Sequence, residues 1–337
     1  MSSLVFTLCS NNYLAQAKTL GDSIAEHNPG VQFIIGLVDK RDPEIDYDFF
    51  SPFELISFDQ IGFPVLDDML GRYNIIEFNT GVKPFYIEYL FNHFPEVEKL
   101  YYIDPDIYFY QSLDELDSLL NNHDIVLTPH LTVAPPTVTT DELVAMRHGH
   151  FNLGFLGLRR SDNSAEFIAW WQERLKKHCV IDKGRGLFVD QKWVDLAPLY
   201  FDRIYNFKHQ GYNMAWWNTS ERALLRKDDR YFVNNGDQPL VFFHFSGFKL
   251  SSTYFGRVDN EEYSFESRSD LRDLFHRYAD HLTRNDYEKF SGLKPLLEFS
   301  DSSTVKKRSM RSQVKSRLRG IMRASGARAL TGKNHGG

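Results

Sequence analysis

The chain reads as an α/β fold with a mostly parallel central sheet flanked by helices, followed by a basic C-terminal tail. Three observations predict it. Residues 4–8, apart from Thr7, and 33–38 are apolar runs, as in strands buried on both faces. Between them, Leu14, Ala17, Leu20 and Ile24 recur at helical spacing over residues 14–27. A strand, a covering helix and a second strand in that order call for parallel pairing. From Asp301 onward ten Lys and Arg stand against one acid, a net of +9, whereas the preceding 300 residues carry 29 basic and 44 acidic residues, a net of −15.

The remaining elements follow in order. Asn11-Asn12-Tyr13 is a turn after the first strand, and Pro29-Gly30 ends the first helix. Residues 55–58 form a short third strand. Lys83-Pro84 opens a helix reaching about Phe94, since proline at a helix start lacks only an N–H that had no partner. The next strand spans 101–107, and residues 113–116 form a short helix. Residues 124–127 are a strand, and 128–147, holding Pro129, Pro135 and Pro136, form a loop or cleft rim. Residues 151–158 are a strand with two glycines, 164–178 an amphipathic helix, 241–245 a strand, and helices around 268–284 close the folded part. The division is one domain over 1–300, with a nucleotide-binding half (1–127) and an acceptor-side half (128–300), and a tail over 301–337.

With 337 residues, 42% of them hydrophobic and 15% aromatic, the chain has ample material for a core. Two cysteines, Cys9 and Cys179, point to a reducing compartment rather than a disulfide framework. No apolar run is long enough to span a membrane, and residues 1–6 lack the basic flank and long apolar stretch of a signal peptide. The expected location is cytoplasmic.

The chemistry concentrates in Tyr101-Tyr102-Ile103-Asp104-Pro105-Asp106-Ile107. Carboxylates are rare inside strands because an unpaired buried charge costs several kcal/mol, and Pro105 removes a ladder donor. Asp104 and Asp106 therefore belong at a strand's exposed end, where alternation would put both on one face. A divalent cation holding a diphosphate suits them. His244, between Phe243 and Phe245, would complete a three-ligand set, with hard oxygens suiting Mg²⁺ and one imidazole favouring Mn²⁺. Gly247 leaves room for phosphates, Lys249 offers them a point charge, and Lys83 at a helix start offers an anion or sugar hydroxyl a partner. Asp39, ending the second strand, could hold a ribose or uracil edge.

In company these residues resemble a known family. Asp104-Pro105-Asp106 resembles the Asp-x-Asp signature of nucleotide-sugar glycosyltransferases with the Rossmann-like GT-A fold. Phe151-Asn152-Leu153-Gly154 is similar to the Phe-Asn-x-Gly strand of glycosyltransferase family 8, and Asp190-Gln191 to its later Asp-Gln pair. His244-Phe245-Ser246-Gly247-Phe248-Lys249 resembles its His-Phe-x-Gly-x-x-Lys motif with the lysine one position early. Thr80-Gly81-Val82-Lys83-Pro84 is similar to the Lys-Pro element of related bacterial transferases. The match spans residues 4–250.

The resemblance implies transfer of a sugar from a nucleotide-diphosphate donor, with a UDP-sugar favoured, to a glycan or lipid-linked acceptor in surface polysaccharide assembly. It implies Asp104, Asp106 and His244 as ligands of Mn²⁺ or Mg²⁺, and base and ribose contacts from Asn11, Asn12 and Tyr13. Asn152, Asp190 and Gln191 become the sugar-facing catalytic set, with Gly154 allowing close approach of the ring. With Gln191 near the anomeric carbon and the departing phosphate acting as the base, the reaction would retain configuration. An inverting enzyme would need a base such as Asp141, Glu142 or Asp237. Tyr212, Asn213, Trp216 and Trp217 suit an acceptor platform, with His130, His148 and His150 at the cleft.

Alternatives are a nucleotidyltransferase, which would carry a Gly-rich, lysine-containing loop where Cys9-Ser10-Asn11-Asn12-Tyr13 stands, and a non-catalytic carbohydrate-binding protein. A glycoside hydrolase needs carboxylates on opposite cleft walls, whereas these acids lie together. Residues 305–323 place Met310, Val314, Leu318 and Ile321 at helical spacing among basic residues, a pattern suited to the anionic inner face of the cell membrane. The acidic body argues against nucleic acid.

Overall fold

The structure, a computed structural model, describes residues 2–256 and 261–299; the basic tail lies outside the described residues. Strand β1 (Ser2–Cys9) sends Leu4, Phe6 and Leu8 to one buried face and Val5 and Cys9 to the other, as period-two alternation requires. Helix α1 (Leu14–His27) covers the second face with Leu14, Ala17, Leu20 and Ile24, all buried. Burial of each such side chain contributes roughly 1.5–3 kcal/mol, which is why the apolar stripe fixes the helix on the sheet. Strands β2 (Gln32–Leu37) and β3 (Glu54–Ser57) follow as expected.

Helices α2 (Val65–Leu70) and α3 (Ile75–Gly81) were not expected. The Asn74 side chain caps α3, accepting from Ile76 N and Glu77 N, while the Glu77 side chain reaches back to Asn74 N. Helix α3 then runs through Val82 into α4 (Lys83–His93). The open helix end expected at Pro84 is therefore covered by the preceding helix, which corrects that reading of Lys83.

Strand β4 (Val97–Ile103) ends at Asp104, and β5 (Ile107–Phe109) belongs to another sheet. After helix α5 (Asp114–Leu119) come β6 (Ile125–Pro129), helix α6 (Thr140–His148), β7 (Phe151–Arg159) and helix α7 (Asp162–His178). The segment 128–147 is thus not all loop, because Thr139 and Glu142 form a capping box that starts α6.

The central sheet has seven strands in the order Ile204–Asn206, β6, β7, β4, β1, β2, β3. β3, β2, β1 and β4 are mutually parallel, and β7 runs antiparallel to both β4 and β6. The fold class is the expected one, a mostly parallel sheet flanked by helices. A smaller sheet of Met214–Ala215, Phe242–His244 and β5 stands against it, with His244 opposite Ile107. Its far side packs on the helix Arg272–Arg284 through Phe243, Phe245, Phe275 and Tyr278.

Candidate metal and nucleotide site

Between β4 and β5 the chain passes from one sheet to the other, and Asp104-Pro105-Asp106 is the turn that makes the crossing. Asp104 N donates to Gly154 O at 2.8 Å on β7, and Phe245 N donates to Asp106 O at 2.7 Å. Each end of the turn is thus tied to a different sheet. The two acids meet because the turn folds them together, not because they alternate along a strand, which corrects the sequence argument while keeping its outcome. His244 arrives from the facing strand, its Nε2 3.0 Å from Asp106 Oδ1 and 3.7 Å from Asp104 Oδ2. One ligand atom from each of the three residues lies within 4.8 Å of the other two. The carboxylates are partly open to solvent while the imidazole is buried. Two hard oxygen donors and one imidazole on a common point fit a divalent cation such as Mn²⁺ or Mg²⁺.

Behind the acids lies a buried charge network. Lys83 Nζ is 2.8 Å from Asp190 Oδ2, 2.8 Å from the Leu153 carbonyl and 3.7 Å from Asp104 Oδ1. It also sits 4.4 Å over the Tyr102 ring. Burial alone would lower the pKa of this ammonium, but the Asp190 and Asp104 carboxylates overcome that and hold it above the ordinary lysine value. Tyr102, two residues before Asp104, donates its hydroxyl to Asp104 Oδ1 at 2.5 Å. Sequence reading missed Tyr102, although its i, i+2 spacing from Asp104 signalled a shared face.

Asn11 and Asp39 do not open onto this site as expected. Asp39 is fully buried at the end of β2; its Oδ1 accepts from Lys40 N, Leu296 N (both 2.9 Å) and Leu297 N (3.1 Å). Its Oδ2 accepts from Asn11 Nδ2 at 3.0 Å, and Asn11 Oδ1 accepts from the Tyr47 hydroxyl at 2.7 Å. Burial raises the Asp39 pKa despite these donors. The returning chain around Leu296 and Leu297 occupies the position in which a ribose or base edge was expected. Of the Asn11-Asn12-Tyr13 turn, Asn12 is half-buried and Tyr13 exposed. Tyr13 lines a narrow crevice with Gln16, Asp106, Phe245 and Gly247. Gln16 is buried and its Oε1 has no hydrogen-bond partner among the described residues, a contact sequence reading did not single out. Gly247, at φ +77°, takes a left-handed conformation that favours glycine, and Lys249 lies exposed just beyond it.

The expected sugar-facing residues divide. Asp190 is brought to the site through Lys83. Gln191 is buried and donates Nε2 to the His148 carbonyl at 3.0 Å. Asn152 is tied into the core: Oδ1 accepts from Gly154 N and Asn213 Nδ2, both at 3.1 Å, and Nδ2 lies 3.3 Å from His130 Nε2. Its amide is therefore spent on protein partners, against expectation. The close approach that Gly154 permits is taken by the His244 ring rather than left open for a sugar.

The acceptor platform is also corrected. Tyr212 and Asn213 are buried, Tyr212 against Phe207 and Phe242, and Trp217 stands edge-on to His244 at 5.1 Å. His130 is buried, His148 Nδ1 is 2.7 Å from the Val144 carbonyl, and exposed His150 pairs with Asp195 at 3.0 Å. Of the acids considered as bases, Asp141 accepts from the Ser220 hydroxyl at 2.5 Å, Glu142 serves the α6 cap, and Asp237 pairs with Asn235.

No family model matches the chain. Two proteins of Bacillus subtilis (strain 168) resemble it, both named as uncharacterized: YfnF, 28% identical over 185 residues, and YfnD, 25% identical over 249. These matches take in 52% and 72% of this chain and 58% and 77% of the relatives, so the YfnF match covers less than two thirds of that protein. Among solved structures, the galactosyltransferase LgtC in complex with donor and acceptor sugar analogs is similar at TM-score 0.49 and 15% identity, over 87% of this chain and 97% of that one. The glycosyltransferase GlyE of Streptococcus pneumoniae TIGR4 is similar at TM-score 0.47 and 15% identity, over 87% and 66%. A glycosyltransferase involved in glycosylation of the major capsid of PBCV-1 is similar at 0.42 and 12%, over 74% and 95%. Likenesses of this size assign no activity, and the functional reading rests on the site itself.

Proposed function

We propose that the protein is a divalent-metal-dependent glycosyltransferase of the GT-A type that moves a sugar from a nucleotide-diphosphate donor, UDP-linked in the favoured case, to a glycan or lipid-linked acceptor. The observation that carries this reading is the convergence of Asp104, Asp106 and His244 at the carboxyl edge of a largely parallel sheet, where ligands of such sheets gather. When bound there, Mn²⁺ or Mg²⁺ would supply Lewis-acid stabilisation to the departing diphosphate.

The chain's own residues do the rest. Lys83 keeps Asp104 and Asp190 from repelling each other, and Tyr102 fixes the Asp104 rotamer. Gly247 and Tyr13 border the crevice beside Asp106, and exposed Lys249, two residues after Gly247, is the charge proposed for a phosphate. In this reading the departing phosphate takes the acceptor's proton on the face it leaves, which retains configuration, and Gln191, held by its bond to the His148 carbonyl, is the side chain nearest the anomeric centre.

A cavity of about 780 Å³ adjoins the crevice, with Phe248 in both walls. Partly buried Phe265 lines it, and exposed Arg272 and His276 offer polar partners. That combination suits an acceptor sugar better than the buried Tyr212 and Trp217.

The test is hydrolysis of a nucleotide-sugar panel in Mn²⁺. Turnover that vanishes with EDTA and with Asp106→Ala supports the reading; turnover indifferent to both rejects it. For location, no helix among the described residues is long and apolar enough to cross a membrane. The composition of 305–323 supports a cytoplasmic enzyme resting on an anionic membrane face during surface polysaccharide assembly. Sedimentation with anionic vesicles, with and without 301–337, decides that point, and equal binding by both forms rules it out.

A further inference from the structure

A histidine that ligates a metal through one ring nitrogen is ordinarily oriented by a hydrogen bond on the other, and that partner raises the ligand's basicity. His244 lacks one. Its Nε2 faces Asp106 and Asp104, while its Nδ1 is buried and has no hydrogen-bond partner among the described residues. Something else must stop the imidazole turning about its bonds to the backbone.

Two residues meet the ring on its remaining sides. Gly154, on β7, lies so close that a Cβ there would stand 2.6 Å from His244 Cε1 and 2.8 Å from Nδ1. Those separations are well inside van der Waals contact, so only glycine fits without moving the ring. Trp217 stands at 85° to the imidazole with ring centres 5.1 Å apart, an edge-to-face contact. Gly154 is itself fixed at both backbone atoms: its carbonyl takes the Asp104 N–H at 2.8 Å, and its N–H donates to Asn152 Oδ1 at 3.1 Å. The residue that limits the imidazole is thus hydrogen-bonded to the first acid of the turn. The wall behind it is a buried polar lattice, in which Asn213 donates to Asn152 Oδ1 and to Thr128 Oγ1, both at 3.1 Å.

We infer that Gly154 and Trp217 are positioning residues for the metal site, holding His244 by shape where a hydrogen bond usually does so. The inference rests on the proposed metal-binding role of Asp104, Asp106 and His244 and goes further by assigning Gly154 and Trp217 to that site. Gly154 is kept for the imidazole rather than for a sugar, and the tryptophan serves the ion rather than the acceptor. The Trp217 indole N–H is buried without a partner among the described residues, so a phenylalanine in its place keeps an aromatic ring there and gives up no hydrogen bond these residues show.

The test is Mn²⁺ titration of the full chain without nucleotide, followed by the electron paramagnetic resonance signal of the free ion, with thermal melts alongside. Trp217→Leu is expected to weaken Mn²⁺ about 10- to 100-fold, the usual size of an outer-shell loss, and Trp217→Phe to restore most of it. Gly154→Ala is expected to do the same as Trp217→Leu if it folds. A merely structural tryptophan would lower the melting temperature of Trp217→Leu and leave its Mn²⁺ affinity at the wild-type value, and that result overturns the inference while the metal reading stands. Wild-type protein that binds no more Mn²⁺ than Asp106→Ala overturns both.

Discussion

The Lys83 ammonium lies 2.8 Å from the Asp190 carboxylate, and both side chains are shut away from water. The pair joins the start of α4 to the residue that opens the short helix Gln191–Val194, and the same ammonium reaches Asp104 at the edge of the metal site. Breaking one half of such a pair strands the other charge in a poorly solvating interior. Lys83→Met is therefore expected to destabilise the fold by about 3–5 kcal/mol in urea melts, and a Lys83→Met, Asp190→Asn double variant to recover part of that loss. Equal stability of Lys83→Met and wild type would mean that the pair is not formed.

The metal ligands predict a separable effect on turnover. Several kcal/mol of leaving-group stabilisation correspond to at least about 100-fold in rate. Asp106→Ala and His244→Ala are each expected to lose that much metal-dependent turnover. The measurement is initial rate against Mn²⁺ concentration on folded variants.

Asp39 holds the returning chain. Removing its carboxylate leaves Leu296 N and Leu297 N without their acceptor and Asn11 without one of its own. Asp39→Ala should cost about 2 kcal/mol, and amide hydrogen exchange at Leu296 and Leu297 should accelerate selectively. Unchanged exchange at those two amides would show that the contact is not kept in solution.

A pH dependence follows from His130. Burial lowers its pKa from the ordinary 6.5 to about 4. Below 6.5 the unfolded chain takes up a proton that the folded chain refuses, so stability is full above that pH and falls as pH drops toward 4. The loss amounts to roughly 3 kcal/mol across the window. His130→Asn, which has no proton to gain there, should flatten that part of a stability–pH curve measured by denaturant melts. A curve of the same slope in both proteins would place the proton elsewhere.

The elements read correctly from sequence are those whose signal is local. The apolar stripe of α1, the apolar runs of β1 and β2, and a proline between two acids each state their environment within a few residues. The acid turn and His244 stood out for the same reason, as ionisable groups that an apolar neighbourhood would not otherwise hold. Helix α3 is also written locally, in the Asn74–Glu77 box, and it is only seven residues long.

Other features depended on contacts between residues far apart in the chain. Asp39 reads as a ligand-facing strand end until Leu296 and Leu297 arrive from more than 250 positions away and take its oxygen. Asn152 reads as a sugar contact until Asn213 and His130 claim its amide, and Trp217 as a platform until it meets His244. Sequence by itself determined which segments become strands and helices and which residues carry charge into them, because hydrophobic period and backbone chemistry act over a few bonds. Only the tertiary structure decided whom each polar group faces, because a hydrogen bond or ring contact is settled by whichever residue the packed fold delivers within about 3–5 Å, and no local pattern encodes that meeting.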